Sequence, residues 1–246
     1  MKRLGLVKTA AGDGYDAVFM DAMASEYERR TPWTVMRLEN VRFLVDPRPR
    51  DRVLDLGSAA GAMTHYLSTF GCEAVGVDSS QLGVDYARAR YPDLRFERAD
   101  VAALPFAEGS FDKVVAADLT EHLDEQTLRG MLAECRRVLV HGGTVSIHTP
   151  NPGHVIERLK ERNLILAQNP THIGLRTSAE LRAQLERAGF LVDIDVKRPG
   201  FFPVLRTLER LSRGRIDLLG YRICMRGRAS ATVKASEPLP ALPAES

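Results

Sequence analysis

The sequence predicts an α/β fold, a mostly parallel sheet covered by helices on both faces. Three observations lead there. Short apolar runs alternate with amphipathic stretches along the chain. A length of 246 residues suits one large domain better than two ordinary ones. Hydrophobic residues make up 44% and charged residues 27%, the balance of a chain that can build a packed interior.

Seven stretches read as strands: 52–56, 74–78, 94–97, 113–117, 144–149, 190–196 and 221–225. Between them Leu128, Met131, Leu132, Cys135, Val138 and Leu139 recur at helical spacing. Leu181, Leu185 and Ala188 do so again before Gly189, so both stretches predict helices packed on the sheet. Ahead of the first strand, residues 15–45 predict two helices divided at Thr31 and Pro32, a capping residue followed by a proline at the first helical position. The chain thus divides into an N-terminal helical cap over 1–50 and a core over 51–228, with additions near 153–176 and 199–216. A tail over 229–246, rich in Ala, Pro, Ser and Glu, is expected to be disordered.

A formal charge of +2, with basic and acidic residues interspersed, gives no case for nucleic acid as a partner. Cys72, Cys135 and Cys224 lie far apart without CxxC spacing, so neither a zinc site nor a disulfide framework is predicted, and a reducing cytoplasm is expected. The first residues lack the apolar centre of a secretory signal, and no run of about 18 apolar residues occurs. Residues 154–168 and 201–215 mix apolar with basic side chains, which suits peripheral contact with an anionic membrane or a greasy substrate. Core packing with a solvated face explains them more simply. The oligomeric state is not legible.

The chemistry concentrates at strand ends. In VLDLGSAAG, residues 53–61, an apolar strand runs into a turn of small residues and then a helix-like segment. Gly57 and Gly61 permit conformations and close approaches that a Cβ would block, and Asp55 can accept hydrogen bonds from a ligand ammonium. A dinucleotide site also uses a glycine turn after its first strand, but it wants G-x-G-x-x-G and bare amides for an anionic pyrophosphate. Here Gly57 and Gly61 bracket Ser58, Ala59 and Ala60, with a carboxylate just before them. About twenty residues on, GVD ends the second strand in Asp78, placed to accept from ribose hydroxyls, although an acid there can simply cap the next helix. Asp100 and Val101 follow the third strand and could hold an adenine ring. Asp118 leaves the sheet at the end of the fourth.

The succession VLDLGSAAG, GVD, RAD, LPFAEGSFDKVVAADLTEHL and RVLVHGG resembles the class I S-adenosylmethionine-dependent methyltransferases that act on small molecules, including quinone-precursor methyltransferases. The resemblance covers roughly residues 51–196 and is specific for the cofactor, not for the acceptor. It implies a Rossmann-like fold of seven strands, mostly parallel with an antiparallel last strand, and S-adenosyl-L-methionine as cofactor. By the same resemblance Asp55, Gly57, Ser58, Ala59 and Gly61 line the methionine part, Asp78 and Ser79 the ribose, and Asp100 with Val101 the adenine. Asp118 and Leu119 face the methionine or the acceptor, while Tyr27 and Arg29 belong to a helix that closes over the cofactor. Ala59 stands where the family commonly has glycine, and His141 replaces the usual proline ahead of Gly142 and Gly143.

The expected activity is methyl transfer to an oxygen or nitrogen of a small molecule, an in-line displacement that asks mainly for positioning and exclusion of water and requires no metal. A hydroxyl acceptor needs a base, and histidine suits neutral pH. His122 is the first candidate, His172 the second, and His148 a weaker one that points either to the cleft or to the core. Tyr15, Phe19, Tyr27, Trp33, Phe201 and Phe202 are candidates for an aromatic lid, with ordinary packing as the alternative. Two other readings compete: a catalytically silent S-adenosylmethionine-binding regulatory subunit, and a nicotinamide-dependent oxidoreductase.

Overall fold

The computed structural model describes residues 17–162, 164, 169–200 and 220–230. Two helices, α1 (Ala17–Glu28) and α2 (Pro32–Val45), lead into β1 (Arg52–Leu56), α3 (Ala62–Ser68), β2 (Glu73–Asp78), α4 (Gln81–Arg90) and β3 (Arg95–Arg98). The second half holds β4 (Phe111–Ala117), a 3-10 turn (Thr120–His122), α5 (Glu125–Val138), β5 (Leu139–Pro150), α6 (Val155–Glu161), α7 (Ser178–Arg187), β6 (Phe190–Arg198) and β7 (Arg222–Ala229). The strands form one sheet in the order β3-β2-β1-β4-β5-β7-β6, and β7 alone runs antiparallel to its neighbours β5 and β6. This is the seven-stranded, Rossmann-like sheet the sequence implies.

The alternation of side chains along each strand decides which helices cover which face. Leu54, Leu56, Val114, Ala116, Val145 and Ile147 pack with Leu128, Met131, Leu132 and Cys135 of α5 and with Leu181 and Leu185 of α7. Their neighbours in sequence, Val53, Val115 and Ala117, face the other way and meet Leu38, Val41 and Val45 of α2 and Met63 and Leu67 of α3. Helix α2 starts as the sequence indicates, with Pro32 in its first turn and Thr31 Oγ1 accepting from the Thr34 amide at 3.2 Å. Because α2 buries its apolar side on the sheet, it is part of the core's outer layer rather than a detached cover.

β2, β4 and β6 run one or two residues further than expected, and β5 and β7 run further still. β5 begins at Leu139 and takes in His141, Gly142 and Gly143. β7 continues through Arg226 and Arg228 to Ala229, where the tail was placed. The polar residues that masked β7 are ion-paired across the ladder, both arginines reaching Asp193 of β6, at 2.8 and 3.2 Å. The rest of the tail, 231–246, and most of the addition near 199–216 lie outside the described residues.

Candidate active site

Strand order reverses between β1 and β4, which makes the carboxyl ends of these strands and of β2 the place where folds of this topology hold a ligand in a crevice. The turn leaving β1 is bound to β2. The amides of Gly57 and Ser58 both donate to the Val77 carbonyl, at 2.8 and 3.0 Å, the Ala59 amide donates to Asp78 Oδ2 at 2.9 Å, and the Gly61 amide donates to the Ser58 carbonyl at 2.8 Å. Gly57, Ala59 and Gly61 all have positive φ, 72°, 43° and 79°. A Cβ on Gly61 would stand 2.8 Å from Phe96 Cζ and 2.9 Å from Ala87 Cβ; one on Gly57 would meet Leu119 Cδ1 at 3.0 Å. Small residues are therefore needed here for backbone shape and for close packing together.

Two carboxylates flank the turn. Asp55, 2% exposed, accepts from Thr64 Oγ1 at 2.6 Å, and burial pushes its carboxyl up to about 6 despite that bond and the charge of Arg37. Burial also raises Asp78 above the usual carboxylate range, against the opposing pull of the Ser80 and Ala59 amides. The Ala99 amide donates to the Asp78 carbonyl at 3.0 Å, so the end of β3 lies alongside. Val101 is buried in the core there. Asp100 is exposed and turned onto the Ala102 amide at 2.8 Å, a turn-forming role, and Ser79 is exposed too.

At the end of β4, Asp118 sits in the left-handed region with φ 56°. Its carboxylate lies 2.8 Å from Arg37 Nε, 3.1 Å from Arg222 Nη1 and 3.4 Å from His148 Nδ1. These are close ionic contacts without aligned hydrogen bonds to either oxygen. Burial alone would raise Asp118, but Arg222 and Arg37 hold it well below the usual carboxylate range. Its charge is committed to these partners, which leaves Leu119 as the β4-end side chain touching the β1 turn.

His148 is fully buried, with Nε2 facing Asn40 Nδ2 at 3.3 Å. The amide donates, so Nδ1 carries the ring proton toward Asp118, and the question of cleft or core is settled for the core. His122 and His172 come together instead, edge to face with centroids 5.0 Å apart. His122 Nδ1 donates to the Thr171 carbonyl at 3.1 Å, which leaves Nε2 with its lone pair. Burial lowers His122, and burial with the neighbouring ring lowers His172 to about 4, so both are neutral at pH 7. Glu121, 1% exposed, lies against them and accepts from Thr149 Oγ1 at 3.0 Å. Burial and the Asp118 charge push its carboxyl up to about 8.

Residues 53–143 match the family described as Methyltransferase domain. The chain is 34% identical over 141 residues to a Mycolicibacterium smegmatis protein named Probable S-adenosylmethionine-dependent methyltransferase, covering 57% of this chain and 52% of that one. It is 43% identical over 67 residues to the demethylmenaquinone methyltransferase of Beutenbergia cavernae, 27% of this chain and 28% of that one. Over residues 53–143 the chain carries a methyltransferase domain, and it is similar there to S-adenosylmethionine-dependent methyltransferases. The crystal structure of a SAM dependent methyltransferase from Aquifex aeolicus shares the fold at TM-score 0.60 and 18% identity, covering 87% of this chain and 99% of that one. The chain spans about half the length of the curated relatives it matches first, 52% and 57%.

The crevice fits the family's cofactor by its own chemistry. Four amides of the turn are already bonded within the protein, so they are not left for a pyrophosphate, and two carboxylates supply negative charge where a cation would lie. Ser58 Oγ is buried in the same turn without a hydrogen-bond partner.

Of the residues expected to meet the cofactor, the structure gathers Asp55, Gly57, Ser58, Ala59, Gly61, Asp78, Val101, Leu119 and Tyr27 about this crevice. Tyr27 is packed beneath the Arg37 guanidinium, 5.6 Å from ring centroid to Cζ, and burial pushes its hydroxyl up to about 12. Arg29 is not brought there: it is exposed and bonds back to the Ser25 carbonyl of its own helix at 3.2 Å. Trp33, half-buried, packs on Tyr221 and on the Arg222 guanidinium, 4.3 Å away. Tyr15, Phe201 and Phe202 lie outside the described residues. Sequence reasoning missed Arg37, Arg222 and Glu121. Glu121 stood beside His122 in TEH and had a local signal; the arginines had none, since nothing local indicates that α2 and β7 converge on Asp118.

Proposed function

We propose that the chain methylates an oxygen or nitrogen of a small, apolar molecule. In this reading Asp55 and the 57–61 turn hold the methionine part of S-adenosyl-L-methionine, Asp78 the ribose, and the backbone at Val101 the adenine. When bound, that cofactor supplies a methyl group carried on a positively charged sulfur. Asp55 favours the cationic end by charge, and the interlocked turn fixes its orientation, which is the larger part of what an in-line displacement demands. The acceptor lies toward the end of β4, beside buried Glu121 and the half-buried His122 and His172, where neutral His122 keeps an Nε2 lone pair able to take up a proton.

One observation carries the reading: a turn four of whose amides are bonded within the protein is flanked by the buried carboxylates Asp55 and Asp78. That arrangement suits a cationic adenosyl amino acid and not an anionic dinucleotide. A small acceptor of the quinone-precursor kind is suggested by the local likeness to demethylmenaquinone methyltransferase. Incubation with methyl-labelled cofactor and fractionated metabolite extracts tests it. Label passing to a small apolar compound is expected; tight cofactor binding with no transfer to any fraction would favour the silent regulatory reading.

A further inference from the structure

The 3-10 turn after β4 and the loop ahead of α7 are bound into one unit. The Gly174 amide donates to the Glu121 carbonyl at 2.9 Å, and Arg176 donates to the Thr120 and Leu123 carbonyls, both at 3.0 Å. A Cβ at Gly174 would stand only 2.1 Å from the Leu123 carbonyl oxygen, so the loop is seated directly on the turn. This seating brings a carboxylate oxygen of Glu121 and one ring nitrogen each of His122 and His172 within 4.8 Å of one another.

We propose that these three side chains bind one first-row divalent transition-metal ion, a site the sequence did not announce. Ligand atoms around an ion with bonds of about 2.1 Å sit roughly 3.4 Å apart, so shifts of about 1 Å close the set. Two of the ligands are already oriented from behind: Thr171 accepts the Nδ1 proton of His122 and so directs Nε2 inward, and Thr149 donates to Glu121. The third, His172, has a buried Nδ1 with no hydrogen-bond partner. Two imidazoles and one carboxylate, the latter formed as the ion displaces the Glu121 proton, suit Zn²⁺, Mn²⁺, Fe²⁺ or Co²⁺, whereas Mg²⁺ and Ca²⁺ prefer all-oxygen sets.

Three protein ligands leave positions open for an acceptor. With the ion in place His122 Nε2 is a ligand and no longer the base, and a hydroxyl bound there instead loses its O–H proton to water, because the ion stabilises the oxyanion. That oxygen then forms the bond to methyl while the carbon–sulfur electron pair departs on sulfur. Metal binding stands without the methyl-transfer reading; only this catalytic use rests on it.

The test is cobalt titration of the untagged, chelator-treated full chain, followed by visible absorption and by metal analysis after dialysis. One Co²⁺ per chain is expected, with the intense visible bands of four- or five-coordinate nitrogen and oxygen ligation. His172→Ala and Glu121→Gln should each weaken uptake at least tenfold. Absence of saturable uptake by the parent chain overturns the site, as does unchanged uptake in a His122→Ala/His172→Ala chain whose circular dichroism matches the parent. The parent spectrum decides even if the variants fail to fold. S-adenosylhomocysteine binding without cobalt uptake sinks this site alone, and cobalt uptake without S-adenosylhomocysteine binding sinks the cofactor reading alone.

Discussion

Asp78 Oδ2 accepts a 2.9 Å hydrogen bond from the amide of Ala59, so the acid ending β2 braces the turn leaving β1. Its other oxygen accepts from the Ser80 amide, also at 2.9 Å, and each oxygen keeps a second lone pair for a ribose hydroxyl. Replacing Asp78 by Ala should weaken S-adenosylhomocysteine binding by roughly 1 to 3 kcal/mol and lower the melting temperature through the lost brace. Calorimetric affinity equal to the parent's would remove Asp78 from the ribose role.

Gly61 is held at φ 79° against Phe96 and Ala87. Gly61→Ala should cost about 2 kcal/mol or more, combining a left-handed backbone with overpacking. Ala59→Gly, at φ 43°, relieves strain while losing a methyl packed near Met20 and Ala24, and should change stability by less than about 1 kcal/mol. Urea unfolding of both variants checks the pair, and a neutral Gly61→Ala would contradict the packing described.

Asp55, raised from 3.8 to about 6 by burial, takes up a proton as the pH falls through that value. A cationic ligand binds the ionised form, so affinity should be level above about pH 6 and fall about tenfold per unit below it. Because its pKa is higher in the folded chain than in the unfolded one, Asp55 contributes stability at low pH that is lost as the pH rises through about 6. Bound cofactor should restore what is lost. Titrations of the parent and of Asp55→Asn between about pH 5 and 8 test this; the variant should bind weakly and without the slope.

Asp118 is the shared counter-charge of Arg37 and Arg222. Asp118→Asn strands two buried guanidinium groups and should cost about 3 kcal/mol, seen as an earlier denaturant midpoint. A shift under about 0.5 kcal/mol would show that solvent, not Asp118, satisfies the arginines.

The sheet was legible because its strands carry the periodicity of doubly covered β structure, and the turn at 53–61 because small residues and a carboxylate at fixed spacing have a local cause. β1 came out with its exact ends. β7 was cut short because Arg226 and Arg228 read as loop polarity until Asp193 is seen beside them. The partners of Asp118 were invisible for the same reason. Arg37 and Arg222 acquire meaning only when α2 packs under β4 and β7 slots between β5 and β6. His122 and His172 were named singly as bases, but their meeting depends on Gly174 letting the loop sit on the 3-10 turn.

Calorimetric titration of the full chain with S-adenosylhomocysteine and, separately, with NAD addresses the crevice most directly. Saturable binding of S-adenosylhomocysteine, with NAD at least 100-fold weaker, is the outcome expected from two carboxylates beside a turn four of whose amides are already bonded. NAD binding as tightly or more tightly would contradict it.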